Sequence, residues 1–237
     1  TELIMKDLET IDNRIGKTQK QAASGDKIAK RQYEILCRYK EAMEQGKAAR
    51  SVEIDNKEDA KWVSELCLLT NKPVLYVCNV DEASITSGNK YVEAVREAIR
   101  EENAELLIVA AATEADIAEL ESYEERQIFL EELGIEESGV SRLIKAAYAL
   151  LGLETFFTTG ADESRAWTYT KGFKAPQAAG VIHTDFERGF IRAEVIKYDD
   201  YVALGSEKAC REAGKIGIEG KEYTVQDGDI MHFLFNV

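Results

Sequence analysis

Four consecutive residues carry the clearest chemical signal in this sequence, Asn79-Val80-Asp81-Glu82. They come directly after the apolar run Val74-Leu75-Tyr76-Val77-Cys78, which is rich in β-branched residues and predicts a buried parallel strand. Open α/β sheets bind their ligands at the carboxyl ends of such strands. One amide and two carboxylates at that place can hydrogen-bond the edge of a heterocyclic base. The alternative interpretation is a plain turn, which Asn and Asp also favour.

The residue types in this motif bear on which base it accepts. Guanine-specific nucleotide switches carry Asn-Lys-x-Asp here, and the Asp accepts hydrogen bonds from the guanine N1-H and 2-amino groups. In this sequence Val80 replaces the Lys and Glu82 replaces the Asp. Adenine has no 2-amino donor and its N1 is an acceptor, so an Asp in that geometry rejects it. A displaced Glu carboxylate relaxes this discrimination, and we expect ATP to bind at least as well as GTP.

Two other patterns imitate functional motifs but fail on spacing. Gly16-Lys17-Thr18 resembles the end of a phosphate-binding GxxxxGK(S/T) loop, but Ile11 stands where the first Gly is required and the tripeptide falls within a predicted helix. His183 and His232 have no cysteine or carboxylate cluster at ligand spacing. We therefore predict no metal site and no catalytic residue in these 237 residues.

The elements that position the Asn79 motif follow a strand-helix-strand order. Apolar spacing predicts a helix from Lys90 to Arg100, and Leu106-Leu107-Ile108-Val109 predicts a second buried strand. Helices follow as far as Leu151, and the last of them is expected to turn one apolar stripe inward, namely Leu143, Ile144, Ala147 and Leu151. Residues 51–151 thus predict part of an α/β sheet domain.

The two ends of the chain have different patterns. Apolar residues recur at spacings of three and four from Ile4 to Ala22 and from Ile28 to Met43, with a break at Ser24-Gly25-Asp26, which predicts an antiparallel helical hairpin. Past Gly152, short alternating strands surround a helix from Pro176 to Thr184. This order suggests a ubiquitin-like β-grasp module.

Charge is distributed unevenly along the chain, whose formal net charge is −14. Residues 1–50 carry 11 Lys or Arg against 8 Asp or Glu, residues 51–151 carry 9 against 22, and residues 152–237 carry 10 against 14. A locally basic hairpin can meet phosphates, although a solvated helical face of mixed charge is the alternative. The candidate RNA contacts surround the predicted turn: Lys17, Lys20, Lys27, Lys30 and Arg31.

Composition narrows the class of protein further. No run of about 18 uncharged apolar residues is present, so no membrane span is predicted. The four cysteines are scattered singly, which is typical of a reducing compartment. We expect a soluble cytoplasmic protein that binds neither membrane nor DNA.

Several segments together resemble the YchF/Obg-like ATPase family. They are Asn79-Val80-Asp81-Glu82 after Lys72-Pro73-Val74-Leu75-Tyr76, the segment from Ala110 to Leu120, Arg165-Ala166-Trp167-Thr168, the segment from Ala175 to Val195, and the segment from Glu219 to Asp229. The resemblance covers essentially the whole chain. It implies a helical hairpin inserted as a coiled coil (1–50), the C-terminal half of a P-loop nucleotide-binding α/β domain (51–151) and a C-terminal TGS domain of β-grasp fold (152–237).

The resemblance also implies roles for individual residues. Asn79 contacts the base edge, Val80 packs near the face of the base, and Glu82 fills the position of the specificity Asp. The turn at Ala110 forms a second base-contacting loop, in which the backbone N–H groups of Ala111 and Ala112 act and small side chains permit close approach. The implied ligand is ATP or GTP with Mg²⁺, and the implied partner is a ribosome or another RNA-containing complex.

One departure from the family concerns hydrolysis. The phosphate-binding loop, the magnesium-holding Thr and the Asp-x-x-Gly switch have no counterpart within the 237 residues. Those groups supply most of the binding and transition-state stabilisation in phosphoryl transfer. We therefore expect an ATPase or GTPase activity in the parent protein, and expect this chain alone to be inactive and to bind no nucleotide tightly. The alternative is a non-catalytic module that binds RNA or the ribosome.

Overall fold

The computed structural model describes residues 1–102, 104–160 and 163–236. The chain divides into two compact units, Thr1–Ala112 and Thr113–Val237. The three-part division at residues 50 and 151 stays a prediction. Among the described residues, no helix is both long enough and apolar enough to cross a bilayer.

The first unit begins with two long helices, α1 (Glu2–Ala23) and α2 (Lys27–Glu44), joined by a tight turn. Gly25 adopts a positive φ of 94° in this turn, and the Asp26 carboxylate accepts hydrogen bonds from the backbone N–H groups of Ile28 and Ala29 at the start of α2. The two helices pack through buried apolar residues that include Ile11, Ile35, Leu36, Tyr39 and Met43.

The predicted seam of α2 is wrong at one position. Ile28 is 71% exposed, and Ala29 is buried in its place. Ile28 lies in the first turn of α2, beside the connection, where packing between the two helices is only beginning. The seam of α2 therefore starts at Ala29.

The rest of the first unit supplies a small parallel sheet and its flanking helices. Its elements are a 3-10 turn at Ala49–Ser51, α3 (Lys57–Ser64), a 3-10 turn at Leu69–Asn71, β1 (Leu75–Asn79), a 3-10 turn at Glu82–Ser84, α4 (Lys90–Ala98) and β2 (Glu105–Val109). β1 and β2 pair in parallel from Leu75 opposite Glu105 to Asn79 opposite Val109, which confirms the predicted strand-helix-strand unit. The expectation of a fully buried β1 is wrong, because Val77 is 48% exposed. Within the described residues this sheet has two strands, too few to enclose β1.

Three helices lead into the second unit: α5 (Ala111–Glu119), α6 (Tyr123–Glu132) and α7 (Gly139–Leu151). The inward stripe predicted for α7 is largely wrong, since Leu143, Ile144 and Leu151 are exposed, Ile144 by 54%. α7 contacts the following sheet through Tyr148, which lies beside Ile144 and Leu151 on the helix and whose hydroxyl is 3.0 Å from the Thr168 hydroxyl.

The second unit is completed by a five-stranded mixed sheet. In chain order its elements are β3 (Leu153–Thr159), β4 (Ser164–Thr170), α8 (Ala175–Ile182), α9 (Thr184–Arg188), β5 (Phe190–Ile196), α10 (Tyr198–Leu204), α11 (Glu207–Glu212), β6 (Gly217–Glu219) and β7 (Ile230–Phe235). The strand order is β4-β3-β7-β5-β6, with β3 and β7 parallel and the other pairs antiparallel. α8 covers one face through Ala178 and Ala179, which pack with Phe156, Ala193 and Phe233.

A buried polar cluster fixes the segment before β7. Asp229, which is almost fully buried, accepts hydrogen bonds from the Tyr223 hydroxyl at 2.6 Å and from Lys197 Nζ at 2.6 Å. Burial alone would lower the pKa of Lys197, but the hydrogen bonds to Asp229 and Tyr223 outweigh it and raise the pKa. The buried carboxylate is thus paired, as a buried charge must be.

Candidate nucleotide-base site

Asn79 joins the two segments that the sequence predicts to contact a base. It is the last residue of β1, and its Oδ1 accepts a hydrogen bond from the backbone N–H of Ala111 at 3.0 Å. This bond uses the carbonyl end of the amide. No hydrogen bond donated by Nδ2 is found among the described residues, so both N–H donors of Nδ2 are available to a ligand. Adenine and guanine both present an acceptor at N7, so such a donor serves either purine.

Asp81 and Glu82 have different tasks in the turn after β1. Asp81 Oδ1 accepts a hydrogen bond from the Ser84 backbone N–H at 3.0 Å and so caps the short 3-10 turn at Glu82–Ser84. Glu82 is the first residue of that turn and is exposed to solvent. The Glu82 carboxylate accepts no hydrogen bond among the described residues, whereas one oxygen of Asp81 is committed to the cap.

The backbone of Val80 continues the attachment of this turn to the sheet. Its N–H donates to the carbonyl oxygen of Val109 at 2.9 Å, and its side chain is half-buried. Val80 therefore has a fixed backbone, whereas its neighbours Asn79, Asp81 and Glu82 are exposed.

Ala111 and Ala112 form the exposed first turn of α5. The first N–H groups of an α-helix have no acceptor within the helix. The N–H of Ala111 is bonded to Asn79, and no acceptor for the N–H of Ala112 is found among the described residues. The structure thus divides the predicted contact between a residue that holds the loop and a residue that can meet the base.

β1 is anchored from the side by a charged cluster. The Tyr76 hydroxyl and Arg50 Nη2 both donate to Glu102 Oε2, at 3.0 Å and 2.5 Å. The hydrogen bond from Arg50 lowers the pKa of Glu102, although partial burial opposes it. Burial and the hydrogen bond to Glu102 raise the pKa of Tyr76. This cluster ties the strand that carries Asn79 to the segment directly after the hairpin.

The groups around Asn79 are hydrogen-bond donors and acceptors of the kind found on the edge of a purine. Among the described residues, no group of three or more His, Cys, Asp or Glu side chains could hold a metal ion. The donors at Asn79 and Ala112 and the acceptor at Glu82 suit the edge of a base.

The basic residues predicted at the hairpin turn are not equivalent. Lys17, Lys20, Lys27 and Lys30 are exposed beside the turn. Arg31 instead forms a salt bridge with Asp59 of α3, with 2.6 Å between Nη2 and Oδ2. Four of the five candidate RNA contacts therefore present their charge at the tip, and the fifth links α2 to α3.

Sequence analysis missed Asp7, which is 2% exposed on α1. Its carboxylate accepts three hydrogen bonds at 2.7 Å, from the backbone N–H groups of Leu69 and Thr70 and from the Thr70 hydroxyl. The Thr70 oxygen accepts in turn from the N–H of Ala49 at 2.9 Å. This network attaches the base of the hairpin to the turn that precedes β1.

Comparison with known proteins places these features in a family. The YchF-GTPase_C family model, described as "Protein of unknown function (DUF933)", matches residues 153–236. The "Ribosome-binding ATPase YchF" of Bacillus subtilis is 56% identical over 238 residues, which cover 100% of this chain and 64% of that protein. The "Obg-like ATPase 1" of Rattus norvegicus is 44% identical over 240 residues, which cover 99% of this chain and 60% of that protein.

A solved structure agrees with these sequence matches. The Schizosaccharomyces pombe YchF GTPase superposes with a TM-score of 0.84 at 33% identity, covering 98% of this chain and 63% of that one. The chain belongs to the YchF/Obg-like ATPase family. It spans somewhat less than two thirds of the length of these YchF-type relatives.

Proposed function

We propose that this chain is the base-reading and partner-binding portion of a cytoplasmic, ribosome-associated switch protein of YchF type that binds and hydrolyses ATP or GTP. The observation that carries the proposal is the hydrogen bond between Asn79 Oδ1 and Ala111 N, because it brings the two predicted base-contacting segments together and uses only the carbonyl end of the Asn79 amide. The names of the YchF-type relatives, "Ribosome-binding ATPase" and "Obg-like ATPase", support the nucleotide and the partner.

In the proposed site each residue has one task. Nδ2 of Asn79 donates to a ring nitrogen that both purines share, so Asn79 supplies affinity without choosing between them. Glu82 sets the preference between adenine and guanine, because its longer side chain replaces the Asp that pairs with guanine N1-H and the 2-amino group. Val80 packs against the face of the base, and the N–H of Ala112 approaches its edge. Mg²⁺ and the triphosphate would be held by residues outside this set, and bound Mg²⁺ would supply charge neutralisation at the phosphates.

The other parts of the chain have partner-binding roles in this proposal. Residues 1–50 act as a projecting helical hairpin, and residues 152–237 act as a TGS domain of β-grasp fold. The match of residues 153–236 to the YchF-GTPase_C model and the mixed sheet around α8 support the second assignment.

A specific observation also favours the non-catalytic alternative, an interaction module that binds RNA or the ribosome. Residues 13–34, the tip half of the hairpin, carry six Lys or Arg against two Asp or Glu. Phosphates can approach this end of an otherwise acidic chain. Both functions can reside in one chain, and they are tested separately.

The test of the base-reading proposal is the Asn79→Ala variant in the longest natural form of the protein. ATP and GTP affinity should both fall at least about tenfold, because the donor to the base and the bond that holds Ala111 are lost together. Asn89→Ala is the matched control, since the Asn89 side chain caps α4 by accepting from Tyr91 and Val92 and does not join the two base-contacting segments. Unchanged nucleotide affinity in folded Asn79→Ala would leave only the interaction module.

A further inference from the structure

The two edges of the five-stranded sheet differ in how they are protected. β6, at one edge, has three residues, two of which are Gly217 and Glu219. β4, at the other edge, has seven residues, Ser164–Thr170, and contains no Gly, Pro, Lys, Asp or Glu. Natural proteins guard exposed edges with short strands, charges, prolines or bulges, because an open edge pairs readily with another strand. By these criteria β6 is protected and β4 is not.

The backbone pattern shows which groups of β4 are open. Hydrogen bonds from Lys171 N to Gly152 O and from Gly160 N to Glu163 O, both 2.8 Å, flank the ladder between β3 and β4. In an antiparallel ladder the bonded residues alternate, so Arg165, Trp167 and Tyr169 bond to β3. Ala166 and Thr168 then direct their N–H and C=O groups away from β3. No strand among the described residues lies on that side of β4.

Side chains leave this edge accessible. Ala166 and Thr168 are small and exposed. The single charged side chain of β4, Arg165, lies over the Trp167 ring with 4.2 Å between its guanidinium carbon and the ring centroid. Such stacking holds the guanidinium against an aromatic face. The side chains of β4 therefore leave its outward backbone groups open, and the Tyr148 hydroxyl of α7 meets Thr168 at its side-chain oxygen, 3.0 Å away.

The net charge of the second unit favours one class of partner for the open edge of β4. Residues 113–237 carry 13 Lys or Arg against 24 Asp or Glu, a net charge of −11. A field of this sign repels RNA phosphates and also repels a second copy of the same unit, but it attracts a positively charged polypeptide. Main-chain hydrogen bonds to an exposed edge supply affinity for an extended peptide of suitable charge.

We infer that β4 is a strand-addition site for an extended, basic segment of a partner protein. The segment pairs with the open N–H and C=O groups of Ala166 and Thr168, and the net negative charge of the unit favours lysines or arginines in it. This inference does not depend on the base-reading site. It assigns the two units different partners, with nucleic acid at the hairpin tip and protein at the sheet edge.

The test uses the whole chain, isotopically labelled, and a synthetic nine-residue peptide of alternating Lys and Val as the probe. Amide hydrogen exchange of Ala166 and Thr168 should slow at least about tenfold when the peptide binds, since exchange reports protection from opening. Binding should weaken with salt. A peptide of the same sequence that is N-methylated at alternate residues cannot complete the ladder and should give no protection.

Four substitutions at Ala166 distinguish the contribution of its backbone N–H to peptide binding from the contribution of side-chain charge. Ala166→Pro removes the outward N–H without removing a bond to β3, and it should abolish peptide binding. Ala166→Val keeps the N–H and should bind as the wild type does. Ala166→Lys should weaken binding of the basic peptide and Ala166→Glu should strengthen it. If Ala166→Pro fails to fold, the N-methylated peptide and the Lys and Glu variants still decide the question.

Three results would overturn the inference. The first is unchanged exchange at Ala166 and Thr168 with the peptide at millimolar concentration. The second is protection of these two amides by an oligouridine, which would make the edge a nucleic-acid site. The third is a dimer in sedimentation velocity that Ala166→Pro abolishes, which would make a second copy the occupant.

Discussion

Asp7 is the single residue on which the attachment of the hairpin base depends most. Its buried carboxylate accepts from Leu69 N, Thr70 N and the Thr70 hydroxyl. Asp7→Ala leaves these donors buried without an acceptor, and unpaired buried donors are costly. We expect a loss of about 2–4 kcal/mol in the free energy of unfolding, measured by urea titration.

Asp12→Ala is the matched control for Asp7→Ala. Asp12 lies on the same helix and is bonded to Lys40 at 2.7 Å, but its side chain is 48% exposed. Exposed ion pairs contribute little, so this change should cost less than about 1 kcal/mol. Equal losses in the two variants would show that the Asp7 network contributes no more than a surface pair.

Asn79 and Asp7 differ in what the sequence reveals about them. The position of Asn79 at the end of a strand could be predicted because it follows a β-branched run, and its base-reading role stays a prediction. Asp7 could not, because one Asp in an amphipathic helix is indistinguishable from a solvated charge, and Thr70 is 63 residues away along the chain. The capping role of Asp81 could not be predicted either, because a capping carboxylate and a base-reading carboxylate have the same residue type and differ only in geometry.

At the scale of elements, two glycines of the hairpin predict opposite outcomes. An added Cβ would meet no atom within 4 Å at Gly16 or at Gly25, but only Gly25 has a positive φ, of 94°. Gly16→Ala should stabilise the chain by about 0.5–1 kcal/mol, because glycine in a helix interior has excess entropy to lose. Gly25→Ala should destabilise it, since an L-residue is strained in that conformation.

Thermal unfolding of the two glycine variants measures this difference. A higher melting temperature for Gly16→Ala and a lower one for Gly25→Ala are expected. A lower melting temperature for Gly16→Ala would contradict the expected gain, because an added Cβ at Gly16 meets no atom within 4 Å.

Most helices and strands could be predicted from the sequence, but which of their faces are buried could not. Spacings of three and four identified α1 and α2 because those spacings match the helical period. The same reasoning placed Leu143, Ile144 and Leu151 inside, yet they are exposed on α7. A periodic stripe shows that one face is apolar and does not show what covers that face. For the same reason the apolar run of β1 indicated a strand but not its number of neighbours.

At the scale of the whole molecule, charge is separated along the chain. Residues 13–34 have a surplus of four positive charges, whereas residues 113–237 have a surplus of eleven negative charges. Because polyanions are attracted by local positive potential, ribosomal RNA should contact the hairpin tip. The tip residues that matter are Lys17, Lys20, Lys27 and Lys30, since Arg31 is paired with Asp59.

Changing these four lysines to Gln should lower ribosome affinity and reduce the slope of log affinity against log salt by up to about 3, as fewer counterions are released. Co-sedimentation with ribosomes across salt concentrations measures both effects. The control has the same charge change outside the hairpin and outside residues 152–237, at the exposed residues Lys57, Lys61, Lys72 and Lys145, and should sediment as the wild type does. If the tip and control variants sediment alike at every salt concentration, the basic tip is only a solvated face.

Asn79 and Glu82 are proposed to read the base in a way that admits adenine. The most direct test is a competition titration of ATP against GTP on the longest natural form of the protein, compared with the double variant Val80→Lys, Glu82→Asp. The wild type should bind ATP at least as tightly as GTP, and the double variant should shift toward GTP by at least about tenfold, or about 1.4 kcal/mol. A wild-type preference for GTP above about a hundredfold, near 2.7 kcal/mol, would show that this site selects guanine and does not admit adenine.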